Sequence, residues 1–202
     1  MMPFPQALIF DCDGTLALTG DLHFRAFVKA FAAQGATFDH DFYAARTGYD
    51  RHSLISEWIP RLDQSLDVPT LIRDSISEAG ILAASGFATV NPPVAALATA
   101  WGRRPSAVAS NGEETVVRAT LRACDLEQYF DTVVTRDHVA SGKPDPAMFL
   151  LAAQRLGVHP RNCLVLEDSL QGMQAAERAG IPALDVRQTP ALQQITAMLD
   201  LL

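Results

Sequence analysis

Residues 7–15 read Ala7-Leu8-Ile9-Phe10-Asp11-Cys12-Asp13-Gly14-Thr15, four apolar residues that stop abruptly at an acidic turn. A short apolar run bounded by turn residues is the pattern of a strand buried on both faces. The pattern recurs at Ala107-Val108-Ala109, Thr132-Val133-Val134-Thr135, Leu164-Val165-Leu166 and Ala183-Leu184-Asp185-Val186. Helical spacing lies between these runs. Pro92-Pro93 opens one helix, with Val94, Leu97, Ala98 and Trp101 on a single face, and residues 113–123 make a second. Pro146 opens a third, striped by Phe149, Leu150, Ala153 and Leu156 and stopped at Gly157. Ser169 is placed to N-cap a fourth, which Gly180 ends. Strands alternating with helices imply an α/β fold, a parallel sheet covered on both faces.

The stretch between the first two strands is too long for a simple crossover. Residues 18–85 read as helical: Phe24, Phe27, Val28 and Phe31 keep helical spacing. So do Leu54, Ile55 and Trp58 ahead of Pro60, and Leu71, Ile72, Ser75, Ile76 and Ala79. The expected plan is a core built from residues 1–17 and 88–202, with a small helical domain, 18–87, inserted after the first strand. Residues 87–93 return the chain to the core.

Composition narrows the partners. A formal net charge of -7 argues against nucleic acid and anionic membranes, which need a basic surface. Hydrophobic residues make up 49% and charged residues 19%, ordinary for a globular protein and far from a disordered one. Cys12, Cys124 and Cys163 stand far apart in no metal-ligand spacing, which fits a reduced, cytoplasmic setting. Residues 1–10 carry no basic segment or cleavage-like site, so no leader is expected. Oligomeric state stays open between a monomer and a weak dimer.

Ligands of doubly wound sheets bind at the carboxyl ends of the strands, and that is where the polar residues fall. The first strand leads into Asp11 and Asp13, the second into Ser110-Asn111-Gly112, the third through a loop to Lys143, the fourth into Glu167-Asp168. Phosphoryl transfer uses these groups. Asp11 can attack phosphorus, splitting one hard hydrolysis into two displacements. Asp11, Glu167 and Asp168 are hard oxygen ligands suited to Mg2+. Asp13 is the candidate acid for the leaving oxygen and base for the incoming water. Ser110, Asn111 and nearby amides can hold phosphate, and Lys143 can offset the transition-state charge. Singly, each group has a plain alternative as a turn or a helix cap; in this order, all at strand ends, they point to one site. Lys143 is one of only two lysines, against fourteen arginines, in a loop stiffened by Pro144 and Pro146.

These motifs, and with them nearly the whole chain, resemble the haloacid dehalogenase-like superfamily, in the group with a helical cap inserted after the first strand. Asp11-Cys12-Asp13-Gly14-Thr15 is similar to its first motif, Ser110-Asn111 to the second, Lys143 to the third and Glu167-Asp168 to the fourth. The resemblance implies a Rossmann-like core, a magnesium ion, an aspartyl-phosphate, a metal contact from the Asp13 carbonyl and a cap that closes over the core. It also implies a place for Thr15 beside the substrate. Dehalogenases of the superfamily lack the second aspartate, so Asp13 argues against dehalogenation. Phosphonate hydrolases use a cap lysine; Lys29 is the only one here, on an amphipathic helix that suits a solvated position. His23 and Gly48-x-x-Arg51 resemble β-phosphoglucomutase-like positions, where the histidine sets the acid/base aspartate and the arginine holds a second phosphate. The core half looks more like sugar phosphatases of the fructose-1-phosphate type. Leu18 departs from an aspartate that many relatives carry at the hinge. Specificity is expected from His23, Arg46, Tyr49, Arg51 and Trp58. The expectation is a phosphatase acting on a small phosphorylated sugar or sugar acid. The alternatives are a phosphomutase, which must also hold a bisphosphate, and a catalytically silent binding module.

Overall fold

The computed structural model describes residues 4–201. Met1, Met2 and Pro3, part of the stretch expected to carry no leader, lie outside the described residues, as does Leu202. Five strands form one parallel sheet: β1 (Ala7–Phe10), β4 (Ser106–Ala109), β5 (Thr132–Val134), β6 (Cys163–Glu167) and β7 (Ala183–Asp185), in the order β5-β4-β1-β6-β7. Leu8 faces Ser106 on one side and Leu164 on the other, which fixes the register of the three central strands. All four residues of β1 are buried, as a strand covered on both faces requires.

Alternation along β1 divides the core. Leu8 and Phe10 pack towards α5 (Pro92–Trp101), α6 (Glu114–Ala123) and α9 (Thr189–Leu199), around Trp101, Leu97, Val117 and Ile195. Ala7 and Ile9 pack the other way, against Met148, Phe149 and Ala152 of α7 (Ala147–Leu156) and Ala175 and Ala176 of α8 (Leu170–Ala179). The α7 stripe differs from the expected one: Leu150 is exposed, and Met148 and Ala152 flank Phe149 and Ala153 instead. The stripe of Met148, Phe149, Ala152 and Ala153 packs on the sheet, and Leu150 falls on the face turned away from it. Gly157 and Gly180 end α7 and α8 in the left-handed conformation, and the Ser169 hydroxyl accepts from the Gly172 amide as N-cap.

Four further helices lie between β1 and β4: α1 (Gly20–Ala32), α2 (His40–Ala44), α3 (Arg51–Trp58) and α4 (Val68–Leu82). They share an aromatic core of their own around Phe27, Phe31, Phe38, Phe42, Leu54, Ile55 and Leu71. Val28, placed in the α1 stripe by spacing, is exposed, because α1 presents its Leu22–Ala26 edge to α4 and keeps Val28 outside. Asp39, Asp50 and Asp67 N-cap α2, α3 and α4 with side-chain bonds to backbone amides. A short antiparallel ribbon that spacing did not predict, β2 (Ala17–Leu18) with β3 (Thr89–Val90), joins this unit to the sheet. Leu18 stands half-exposed on it, paired with Thr89. Among the described residues no helix is long and apolar enough to cross a membrane.

Candidate active site

Because β4 and β6 flank β1, the residues that follow these three strands meet at one edge of the sheet. Asp11 leaves β1 with its amide bonded to the Leu166 carbonyl at 2.9 Å. Ser110 follows β4, and Glu167 closes β6. The loop after β5 delivers Lys143, whose Nζ donates to Asp11 Oδ1 at 2.6 Å and to Glu167 Oε2 at 2.7 Å. Asn111 holds that loop: its Oδ1 accepts from the Lys143 amide at 2.8 Å and its Nδ2 donates to the Gly48 carbonyl at 2.9 Å. One asparagine therefore ties the lysine loop to the segment between α2 and α3.

Glu167 is fixed from both ends. Its Oε1 accepts from the amides of Asp168 and Ser169 and from the Ser169 hydroxyl, at 2.9, 3.0 and 3.1 Å. Gly172, one turn into α8, leaves room for it; a Cβ there would stand 1.5 Å from Glu167 Oε2. Thr15 lies fully buried and outside the cavity, its hydroxyl donating to Asp168 Oδ1 at 3.2 Å. The resemblance gave Thr15 a place beside the substrate; here the turn after Asp13 folds it under the acidic pair.

Oxygens of Asp11, Glu167 and Asp168 all lie within 4.8 Å of one another, and all three residues are buried. Burial and then the charge of Glu167 push the Asp11 carboxyl well above the usual carboxylate range, with Lys143 pulling the other way. Burial and Glu167 likewise push Asp168 up to about 7. Burial alone would lower Lys143, but the two carboxylates outweigh it and hold the ammonium above its ordinary value. Three crowded carboxylates against one ammonium leave uncompensated negative charge out of water. That imbalance, with hard oxygens at this spacing, fits a divalent cation such as Mg2+.

Asp13 turns away from this cluster. Its Oδ1 accepts from the Thr19 hydroxyl at 2.8 Å and meets His23 Nε2 at 2.9 Å, and its Oδ2 accepts from Ser110 Oγ at 3.1 Å. Burial pushes its carboxyl up, but His23 and the three hydrogen bonds outweigh burial and bring it down to about 2. Asp11 and Asp13, two residues apart, thus occupy opposite electrostatic surroundings.

A cavity of about 130 Å3 opens above these groups, between the strand ends and α1–α3. Asp11, Asp13, His23, Gly48, Arg51, Ser110, Asn111, Lys143 and Asp168 line it, together with Arg46 and Tyr49. Glu167 sits behind Lys143, outside the lining. Trp58, expected among the specificity residues, lies instead against Phe42 in the helical core, its indole N–H donating to the Thr37 carbonyl. Arg51 does reach the cavity, where its Nε donates to Glu113 Oε1 at 3.0 Å and its guanidinium lies over Phe27. Spacing gave no sign of Thr19, Glu113 or Gly172. Glu113 looked like a helix start and Gly172 like an ordinary helix residue; their roles arise from neighbours distant in sequence.

A model of the haloacid dehalogenase-like hydrolase family matches residues 5–180. Fructose-1-phosphate phosphatase YqaB of Escherichia coli (strain K12) is 37% identical over 182 residues, spanning 89% of this chain and 95% of that protein. A phosphorylated carbohydrates phosphatase of Thermotoga maritima is 33% identical, over 87% and 82% of the two chains. The crystal structure of CbbY from Rhodobacter sphaeroides in complex with phosphate superposes with a TM-score of 0.82 at 33% identity, covering 89% of this chain and 84% of that one. With its motifs carried by adjacent strand ends and its family match covering most of its length, the chain belongs to the haloacid dehalogenase-like hydrolases.

Proposed function

We propose that this phosphoric monoester hydrolase removes phosphate from a small phosphorylated sugar or sugar acid, using Mg2+ and an aspartyl-phosphate on Asp11. The observation that carries the reading is the convergence of Asp11, Glu167 and Asp168 on one another, beside the Lys143 ammonium and beneath a cavity that Asp11, Asp168 and Lys143 line. The printed activities of the relatives, a fructose-1-phosphate phosphatase and a phosphorylated carbohydrates phosphatase, support the substrate class.

The carboxylate of Asp11 attacks phosphorus as its ester oxygen leaves, and water then displaces the phosphoryl group from Asp11. Lys143 holds Asp11 in line and offsets charge developing on the phosphoryl oxygens. Ser110 and Asn111 line the same space and in this reading bind the phosphate. Asp11, Asp168 and Glu167 would hold magnesium, which when bound neutralises the phosphoryl oxygens so that a carboxylate can approach. Asp13 Oδ1 stands 2.9 Å from His23 Nε2. In this reading Asp13, positioned by His23, gives a proton to the leaving oxygen in the first step and takes one from water in the second. In this reading residues 18–87 act as a cap that excludes water during the transfer.

The test is free-phosphate release from phosphorylated sugars, with and without Mg2+. Asp11→Asn is expected to lose turnover by on the order of 10^4-fold or more while staying folded, since removing a nucleophile removes the pathway. Retained turnover in that variant sinks the mechanism. Wild-type enzyme given β-glucose 1-phosphate and a bisphosphate primer is expected to release phosphate without isomerisation; isomerisation would move the assignment to a phosphomutase.

A further inference from the structure

Four side chains that can carry positive charge line the cavity among the described residues, and each already meets a carboxylate. Lys143 meets Asp11 and Glu167, His23 meets Asp13 at 2.9 Å, Arg46 meets Glu57 at 2.7 Å, and Arg51 meets Glu113 at 3.0 Å. The last pair differs from the others in where it stands. Arg51 opens α3 in the helical unit, whereas Glu113 directly precedes α6 in the sheet unit, so the pair bridges the two across the cavity wall.

Helix α6 does not account for Glu113. Its side chain makes no capping bond, and the helix start is served by its backbone carbonyl, which accepts from the Val116 and Val117 amides. Both side chains are nearly buried, at 4% exposed for Arg51 and 11% for Glu113. A buried ion pair has to offset the desolvation of both charges and does so only when its remaining hydrogen-bonding groups are satisfied. Here one is not: Arg51 Nη1 is buried and has no partner. Arg51 lines the cavity, and its Nη1, which no protein group satisfies, leaves a donor for an acceptor that the substrate would bring.

We propose that the Arg51–Glu113 pair reads the end of the substrate remote from the transferred phosphate, admitting a neutral hydroxylated end and rejecting a second phosphate or a carboxylate. The inference rests on the phosphatase reading above and narrows its substrate class from sugars and sugar acids to neutral sugars and polyols. Glu113 is the specificity-determining residue. It cancels the charge by which Arg51 would attract a distal anion, and it repels such an anion in a space with little water to screen it. A hydroxyl suits both partners, since its oxygen can accept from Arg51 and its proton can go to Glu113. Discrimination of this kind comes from a built-in repulsion as much as from a new attraction.

The experiment compares kcat/KM for fructose 1-phosphate and fructose 1,6-bisphosphate, in Mg2+, for the wild type and Glu113→Gln. The glutamine keeps the shape and an acceptor for Arg51 but removes the charge. Wild-type enzyme is expected to favour the monophosphate by about tenfold or more, and Glu113→Gln to shift the ratio towards the bisphosphate by about tenfold. A purely structural ion pair would lower both values together and leave the ratio where it was. An unchanged ratio overturns the proposal, as does a wild type that handles the bisphosphate equally well, a result that needs no variant. If neither ester releases phosphate, the phosphatase reading falls first and this inference with it. If both are hydrolysed with no preference, the phosphatase reading stands and only the inference falls.

Discussion

Lys143 stands between Asp11 and Glu167, and its distances of 2.6 and 2.7 Å make it the one ammonium for two buried carboxylates. Breaking a buried ion pair from one side leaves the other charge stranded. Lys143→Ala is therefore expected to lower stability by about 3–5 kcal/mol, a fall in Tm of roughly 10 °C for a chain of this size. Differential scanning calorimetry in the absence of metal reads it, and added Mg2+ is expected to recover part of the loss. His23 acts on Asp13 in a way that a pH profile can isolate. Its charge and hydrogen bond help bring the Asp13 carboxyl down to about 2. In His23→Asn the carboxyl holds its proton to higher pH, so the limb of the kcat/KM profile set by that carboxyl moves upward by about one pH unit. The fold is expected to be unaffected, because His23 reaches the cavity and not the helical core.

At the scale of an element, α8 shows how a helix can be readable in sequence while its purpose is not. Ser169 and Gly180 mark its two ends through general rules of capping, and both ends fall where those rules put them. Gly172 carries no such mark. Its importance comes from Glu167, which folds back over the first turn of the helix and needs the space that a Cβ would take. Gly172→Ala should favour the helix by roughly 1 kcal/mol on propensity alone. Steric overlap at 1.5 Å decides otherwise, because a buried carboxylate held by three donors cannot give way cheaply. The expected result is a net loss of about 1–3 kcal/mol together with a weaker Mg2+ requirement curve, its half-saturating concentration rising about tenfold or more. Titrating phosphate release against Mg2+ separates this from a simple loss of stability. The α7 stripe makes the same point from the other side: periodicity found the helix, but packing on the sheet buries Met148 and Ala152 and leaves Leu150 outside.

For the whole molecule, the crowded carboxylates couple stability to pH and metal. Asp168 titrates near 7 when folded, against an ordinary 3.8. Between about pH 4 and pH 7 the folded protein keeps a proton that the unfolded chain has lost, so metal-free stability falls as pH rises through that window. Asp13 has the opposite sign: its contribution is present above the ordinary carboxylate range and is lost as pH drops towards about 2. Metal-free Tm is thus expected to be highest near pH 4 and to fall by roughly 10 °C by pH 7. Millimolar Mg2+ should flatten or reverse that fall, because the cation binds the ionised carboxylates. Thermal melts across pH with chelator or Mg2+ check both signs, and a metal-free Tm that rises steadily from pH 4 to 7 would contradict the assignment.

The five strands of the parallel sheet, the ends of α6, α7 and α8, and the identity of the polar groups at the strand ends were legible in the chain itself. These depend on local rules: apolar runs, turn residues, caps, and the fact that a residue following a parallel strand lies at its carboxyl edge. How those groups divide the work follows from the packing of distant segments. The sheet order β4-β1-β6 brings Ser110, Asp11 and Glu167 side by side, which no spacing along the chain encodes. The turn after Asp11 sends Asp13 to Thr19, His23 and Ser110 while Asp11 stays with Lys143. Thr15 was drawn under Asp168, Trp58 into the helical core, and Arg51 onto Glu113 across 62 positions of sequence. Each of those outcomes depends on burial and on a partner that local spacing does not name, and the Arg51–Glu113 pair exists only once the two units have packed together.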